Sequence, residues 1–116
     1  MLDNKLYDKI ERLEAFEEKC SVKFENISIQ YNPDYLESMK IYYELFSTTG
    51  NLLKHKYVEP YCVIYSSNGE IMGKDTEIHS SKDFWGFEIG KFEFYFTKDC
   101  NIKDIGRIRI YPICND

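Results

Sequence analysis

The apolar residues of this chain change period once. From Leu2 to about Lys19, the residues Leu2, Leu6, Ile10, Leu13 and Phe16 recur at steps of three and four and line one stripe, while Lys5, Asp8, Glu11, Arg12 and Glu18 face away. That spacing predicts an amphipathic helix over 1–20. Asp3 stands where a helix N-cap belongs, and Asp8 and Arg12 are four apart, a favourable pair on a helix surface.

Beyond Ser21 the apolar residues recur at every second position, the period of a strand with one buried face. Val22 and Phe24 share one parity and Ile27, Ile29 and Tyr31 the other, so a bulge is expected near Glu25 and Asn26. Asn32-Pro33-Asp34 reads as a turn. Met39, Ile41, Tyr43 and Leu45 then form an inward face, with Lys40, Tyr42, Glu44 and Phe46 outward. Two stretches write one hairpin signal twice: Leu45-Phe46-Ser47-Thr48-Thr49-Gly50-Asn51-Leu52-Leu53 and Ile64-Tyr65-Ser66-Ser67-Asn68-Gly69-Glu70-Ile71-Met72. Each is an apolar run, a polar turn closing on Gly and an apolar return, so both turns are expected to reverse the chain.

Pro60 lacks an N–H and is expected at a strand start or an edge, with Tyr61 to Tyr65 following it. Residues 73–81 read as a polar connection interrupted by Ile78. The run Phe84-Trp85-Gly86-Phe87-Glu88-Ile89 changes parity to Phe92, Phe94 and Phe96, which predicts a bulge at Gly90-Lys91 in one long bent strand. After a turn at 98–101, Ile108 and Ile110 alternate with Arg107, Arg109 and Tyr111 in a last strand that ends at Pro112. One helix and about seven strands at short, even intervals predict a mainly β fold, a two-sheet sandwich over 21–116 behind the N-terminal helix of 1–20.

Two segments carry a resemblance. Val63-Ile64-Tyr65-Ser66-Ser67-Asn68-Gly69-Glu70-Ile71-Met72-Gly73 and Ile105-Gly106-Arg107-Ile108-Arg109-Ile110-Tyr111-Pro112 resemble the immunoglobulin-like or fibronectin-type sandwiches of low-GC bacteria, especially the FxLYD-type domains. The resemblance spans about 22–112 and implies an immunoglobulin-like two-sheet antiparallel sandwich with no catalytic residues to carry over. Many members of that family are secreted or lipid-anchored behind a leader, where this chain has a charged helix.

At 116 residues the chain is one domain, long enough to bury roughly two thirds of its unfolded surface without a metal or a cross-link. Ten tyrosines, eight phenylalanines and one tryptophan predict an aromatic core. A net charge of -5 with dispersed carboxylates argues against non-specific binding to nucleic acid or an anionic membrane and favours a basic partner surface. No run approaches the roughly 18 apolar residues of a membrane span. The charged first twenty residues are unlike a signal peptide and predict a cytoplasmic chain, unless a leader has been removed. Cys20, Cys62, Cys100 and Cys114 form no C-x-x-C pair; reduced thiols are the default, with a disulfide or a metal site as the alternatives.

Candidate chemistry is sparse. His79-Ser80-Ser81 with Asp83 has the residue types of a nucleophile triad, but neighbours in sequence rarely take those mutual positions, so a solvated loop is expected. His55, between Lys54 and Lys56, is expected as an exposed histidine on a strand. A zinc site from Cys62, Cys100 or Cys114 with a histidine is not predicted by spacing, and no cofactor is implied. Glu88 and Glu93 flank the Gly90 break, yet paired-carboxylate chemistry needs a cleft that a small sandwich seldom has. Arg107, Arg109 and Tyr111 share the residue types of a single-strand nucleic-acid platform; ion pairs with neighbouring carboxylates explain the arginines as well.

The remaining signal is surplus aromatic residues. Tyr42, Phe46, Tyr95 and Tyr111, with Arg107 and Arg109, are expected on outward faces as a protein-binding surface, unless the helix folds over them. Leu6, Ile10 and Leu13 either pack on the sheet of their own chain or meet a second copy in a homodimer. The expected function is a non-enzymatic protein-interaction module that binds a partner protein. The first alternative is a small acidic inhibitor or immunity-type protein that blocks a basic toxin or nuclease. The second is a metal-binding protein or small hydrolase using His55, His79 and the cysteines.

Overall fold

The computed structural model describes residues 4–115. It contains the strands β1 (Ile10–Arg12), β2 (Val22–Asn32), β3 (Ser38–Ser47), β4 (Tyr57–Ser66), β5 (Ile71–Thr76), β6 (His79–Ser80), β7 (Phe87–Tyr95) and β8 (Ile105–Asn115), and the helix α1 (Glu14–Cys20). The first sheet runs β1-β8-β4-β5, with β6 also on β4, and the second runs β2-β3-β7. All pairs are antiparallel except β1 with β8. The mainly β, two-sheet architecture agrees with the apolar period of two. Met39, Ile41, Tyr43 and Leu45 are fully buried, facing Val58, Cys62, Ile64, Ile108 and Ile110 of the other sheet. The bulge expected in β2 is present: its register shifts between Glu25 and Ser28, and Asn26 has φ 50°.

Four expectations are corrected. The first is the continuous N-terminal helix. Residues Asn4–Lys9 form a 3-10 helix, Ile10–Arg12 are extended, and only Glu14–Cys20 is α-helical. Without β1 the edge of β8 would leave N–H and C=O groups unpaired, so the chain extends to pair Ile10 with Ile108, Glu11 with Arg109 and Arg12 with Ile110. A helix pattern this short has little intrinsic stability to set against that pairing. Arg12 consequently bonds Glu17, at 3.0 Å, instead of Asp8. Leu6 and Ile10 pack on the core of their own chain, and Leu13 is half-buried at the junction with α1. Leu2 and Asp3 lie outside the described residues.

The second correction concerns the twinned turns. The one at Gly69 does reverse the backbone: its N–H donates to Ser66 O at 2.9 Å, φ is 86°, and β4 pairs with β5. At Gly50 no hairpin forms. Strand β3 already has β2 and β7 on its two sides, so residues 48–56 cross to the other sheet and begin β4 there.

Third, Pro60 lies inside the central strand β4, opposite Pro112 of β8, which continues past that residue to Asn115. Two residues without N–H fit opposite each other where an antiparallel ladder makes no bond. On its other side Pro60 falls between the β5 and β6 pairings, and its carbonyl accepts Glu77 N–H at 3.1 Å.

Fourth, β7 has no bulge at Gly90; its register with β3 is unbroken from Phe87 to Tyr95. The inward parity is Glu88, Gly90, Phe92 and Phe94, so Phe87 and Ile89 are the outward residues. Gly90 is needed because a Cβ there would stand 2.1 Å from Tyr43 Cζ and from its hydroxyl.

The sandwich closes two of its sheet edges with side chains. The Tyr7 hydroxyl accepts Ile29 N–H of β2 at 2.9 Å. On the opposite flank, Glu77 Oε1 accepts Lys91 N–H and Asp75 Oδ2 accepts Glu93 N–H of β7, both at 2.8 Å. Edge groups satisfied in this way cannot recruit another strand.

Gly90→Ala is expected to displace the Tyr43 ring and lower stability by roughly 1–3 kcal/mol. Urea unfolding reads this as a lower midpoint at unchanged slope. An unchanged midpoint would mean that the ring has room the packing does not indicate.

Candidate functional site

The outer face of the first sheet carries an ordered array of aromatic and cationic side chains. Register places Tyr61 of β4 beside Tyr111 of β8, and Val63 between Arg109 of β8 and Lys74 of β5. The Tyr61 and Tyr111 rings stack with centroids 5.5 Å apart, and Phe16 of α1 meets Tyr111 edge-on at 5.4 Å. Arg109 lies over the Tyr65 ring at 5.2 Å and Lys74 over Tyr61 at 5.8 Å. These side chains close over Val63, which is only 4% exposed although it points outward.

Arg109 also bonds Glu11 of β1 at 2.7 Å, and that bond holds the guanidinium pKa above its usual value. Burial raises the Tyr111 pKa, with the Tyr65 and Tyr61 hydroxyls adding to the effect. The array is thus a rigid platform on the central strands, its rings fixed by one another. Neither Arg107 nor Lys74 has a carboxylate partner among the described residues. One edge of the platform is occupied by α1 through Phe16.

The sequence-predicted surface is divided by the fold. Tyr111, Arg107 and Arg109 belong to this platform, whereas Tyr42, Phe46 and Tyr95 lie on the outer face of the second sheet, on the far side of the core. There Phe46 stacks on Phe87 at 5.1 Å, and Tyr95 donates to Glu93 at 3.0 Å. Tyr61, Tyr65 and Lys74 carry no binding signal in the sequence, and Phe16 is expected there only as part of the N-terminal apolar stripe. The pairing of β4 with both β8 and β5 brings the first three to Tyr111, and the packing of α1 on β8 adds Phe16.

Between the sheets runs a second polar arrangement. His79, expected in a solvated loop, is instead 6% exposed on β6. Its Nδ1 is 2.9 Å from Glu88 Oε1 of β7, and its Nε2 is 2.8 Å from the Tyr43 hydroxyl of β3. The Tyr43 hydroxyl is also 3.1 Å from Glu77 Oε1. With Nδ1–H donated to Glu88, Nε2 accepts the phenol proton while Glu77 is satisfied by Lys91 N–H. Every buried side-chain polar atom described has a partner.

This cluster resembles a relay, but its histidine and phenol are enclosed by the two sheets, and its geometry is that of a bolt between them. The signal that would have found it is the unbroken parity of β7, which turns Glu88 inward, where a carboxylate needs a donor. Glu88 and Glu93 therefore fall on opposite faces of β7. His55 is on the 48–56 loop instead of a strand, with Nε2 3.2 Å from Lys19 O.

Cys20 and Cys62 are buried and Cys100 and Cys114 half-buried, all as free thiols. Burial and a hydrogen bond to Cys114 push the Cys20 pKa up to about 12, and burial raises that of Cys62. Among the described residues no group of three or more His, Cys, Asp or Glu is placed to hold a metal ion, and no helix is long and apolar enough to cross a membrane. Comparisons with protein-family models, with curated proteins and with solved structures find no match to this chain.

Burial raises the Tyr43 pKa above its usual 10.0, with the charges of Glu77, Glu88 and Asp75 adding to it. The fold thus favours the neutral phenol, and likewise the neutral Cys20 and Cys62 thiols. Above about pH 9 to 10 the unfolded chain releases protons that the folded chain keeps, so stability falls as pH rises, by about 1.4 kcal/mol per pH unit for each such group. Tyr43→Phe is expected to cost about 1–3 kcal/mol near neutral pH and to make that alkaline decline shallower. Urea midpoints at intervals from about pH 7 to about pH 11 measure both effects. Equal slopes in the two proteins would show that the phenol is not what the fold holds protonated.

Proposed function

We propose that this chain is a non-enzymatic protein-interaction module that binds its partner through the outer face of the first sheet. The observation that carries the reading is the contiguous platform of Phe16, Tyr61, Tyr65 and Tyr111 with Arg107, Arg109 and Lys74. Tyrosine and arginine are enriched among the residues that carry binding energy in protein interfaces, tyrosine because it offers large contact area with few rotatable bonds to freeze and arginine because its planar fork makes several directed hydrogen bonds. Here the rings are already stacked on the central strands, so little ordering remains to be done on binding. The resemblance to FxLYD-type sandwiches, which carry no catalytic residues, points the same way. Four thiols outside any disulfide fit a reducing compartment such as the cytoplasm.

The basic-partner version, in which the chain acts as an acidic inhibitor, is less well supported. It requires a carboxylate-rich contact surface, whereas this platform bears Arg107 and Lys74. Nor does the reading use Leu6 and Ile10 for a homodimer, since both pack on the core of their own chain.

The test compares two double variants with the wild-type chain as immobilised baits in a lysate of the source organism. Tyr61→Ser with Tyr111→Ser is expected to lose the specific partner, with affinity reduced roughly thirtyfold or more, the loss that one truncated hot-spot residue of about 2 kcal/mol already gives. Tyr42→Ser with Tyr95→Ser is expected to retain it. Loss through the second pair alone would move the binding surface to the other sheet and overturn the reading.

A further inference from the structure

We infer that the free edge of β5 accepts an extended, acidic segment of the partner as an additional strand, so that recognition combines main-chain pairing with the aromatic platform. The inference rests on the proposed binding role of the first sheet and names the chemistry of what binds there. Its starting point is the accounting of sheet edges. Strand β1 offers only three residues. The edge of β2 is occupied at Ile29 by Tyr7, and that of β7 by Glu77 and Asp75. Strand β5 is six residues long, and no described strand pairs with its outer side, where Thr76 at its last position is the one residue whose N–H is shown taken by a side chain among the described residues.

The direction of its backbone groups follows from alternation. Glu77 N–H points to β4, where it donates to Pro60 O, whereas Thr76 N–H turns away and is taken by Asp75 Oδ1 at 2.9 Å. Two residues back in the same strand, the N–H and C=O of Lys74 point to the same free side as those of Thr76. Lys74 is exposed, as is Ile71, 68% of whose surface is accessible.

Charge selects the occupant. The chain carries -5 overall, yet Lys74 on this strand has no carboxylate partner among the described residues, nor has Arg107, two strands away on β8. A residue directly opposite Lys74 in an added strand presents its side chain on the same face, within reach of the ammonium group. A carboxylate is favoured there and a second lysine disfavoured. That preference also opposes pairing of β5 with its own copy in the register that sets Lys74 against Lys74. An edge lysine that only discourages strand addition is the competing explanation. It predicts that no strand binds at all.

The probe is a capped nine-residue peptide alternating glutamate with valine, compared with its lysine–valine counterpart by amide NMR of the full chain. The acidic peptide is expected to bind below about a millimolar and to protect the Lys74 amide from hydrogen exchange, and the basic one to do neither. Residues whose N–H groups face β5 carry the glutamates, so N-methylation at the glutamates should abolish binding while N-methylation at the valines leaves it. Lys74→Glu, on the surface, should weaken the acidic peptide on the order of tenfold without unfolding the protein, and Lys74→Gln by less.

Equal binding of the two charge types, indifference to N-methylation at glutamate, or no binding up to several millimolar would overturn the inference. If the tyrosine pair abolishes capture of the natural partner while the Lys74 amide ignores the acidic peptide, the platform reading survives and the edge inference falls. If the peptide docks on β5 but the tyrosine pair changes nothing, the edge stands and the platform reading falls.

Discussion

A phenol in the middle of an apolar core must keep its hydroxyl bonded, because an unpaired buried polar group costs as much as a lost hydrogen bond or more. Tyr43 is such a group. Its ring packs against Phe92 at 4.8 Å and edge-on to Phe24 at 5.3 Å, so it cannot swing out to water. The protein meets the requirement from the opposite sheet, with His79 of β6 at Nε2 and with Glu77 just before that strand. Space for the ring comes from Gly90 on the neighbouring strand. One side chain therefore dictates where β6 sits against β4, which residue of β7 lies opposite it, and how the two sheets are aligned.

The same carboxylates serve the sheet edge. Glu77 Oε1 takes the Lys91 N–H as well as facing the phenol, and Asp75 uses one oxygen for Glu93 N–H and the other for Thr76 N–H. Asp75, Glu77 and Glu88 are thus committed to the β5–β7 flank and to the interior, while on the outer face of the first sheet Glu11 is taken by Arg109, and Arg107 and Lys74 have no carboxylate partner among the described residues. Around Tyr61, Tyr65 and Tyr111 an acidic chain thus gathers three cations, Arg107, Arg109 and Lys74, of which only Arg109 is paired with a carboxylate among the described residues.

How much of this was legible in the residues varies with the range of the interaction. Met39, Ile41, Tyr43 and Leu45 announced a half-buried strand, and the parity change at Glu25 and Asn26 announced its neighbour's bulge, because both are consequences of adjacent side chains alternating across a sheet. The N-terminal stripe predicts one helix, since Leu6, Ile10, Leu13 and Phe16 fall at helical spacing. The open edge of β8, nearly a hundred residues away in sequence, changed that outcome (Ile10 pairs with Ile108). At Gly90 the local parity change predicts an inserted residue, whereas the glycine is an inward position emptied for a ring from β3.

By itself, then, the sequence determined a mainly β chain closed on an aromatic core, because a period of two and the turn residues act over a few neighbouring positions. Which strands became neighbours was decided only when the sheets closed, since each choice depended on edges already occupied: β3 between β2 and β7, β4 between β8 and β5. Tyr61, Tyr111, Arg109 and Lys74 are scattered over fifty residues of chain, and their assembly into one surface is a property of that pairing.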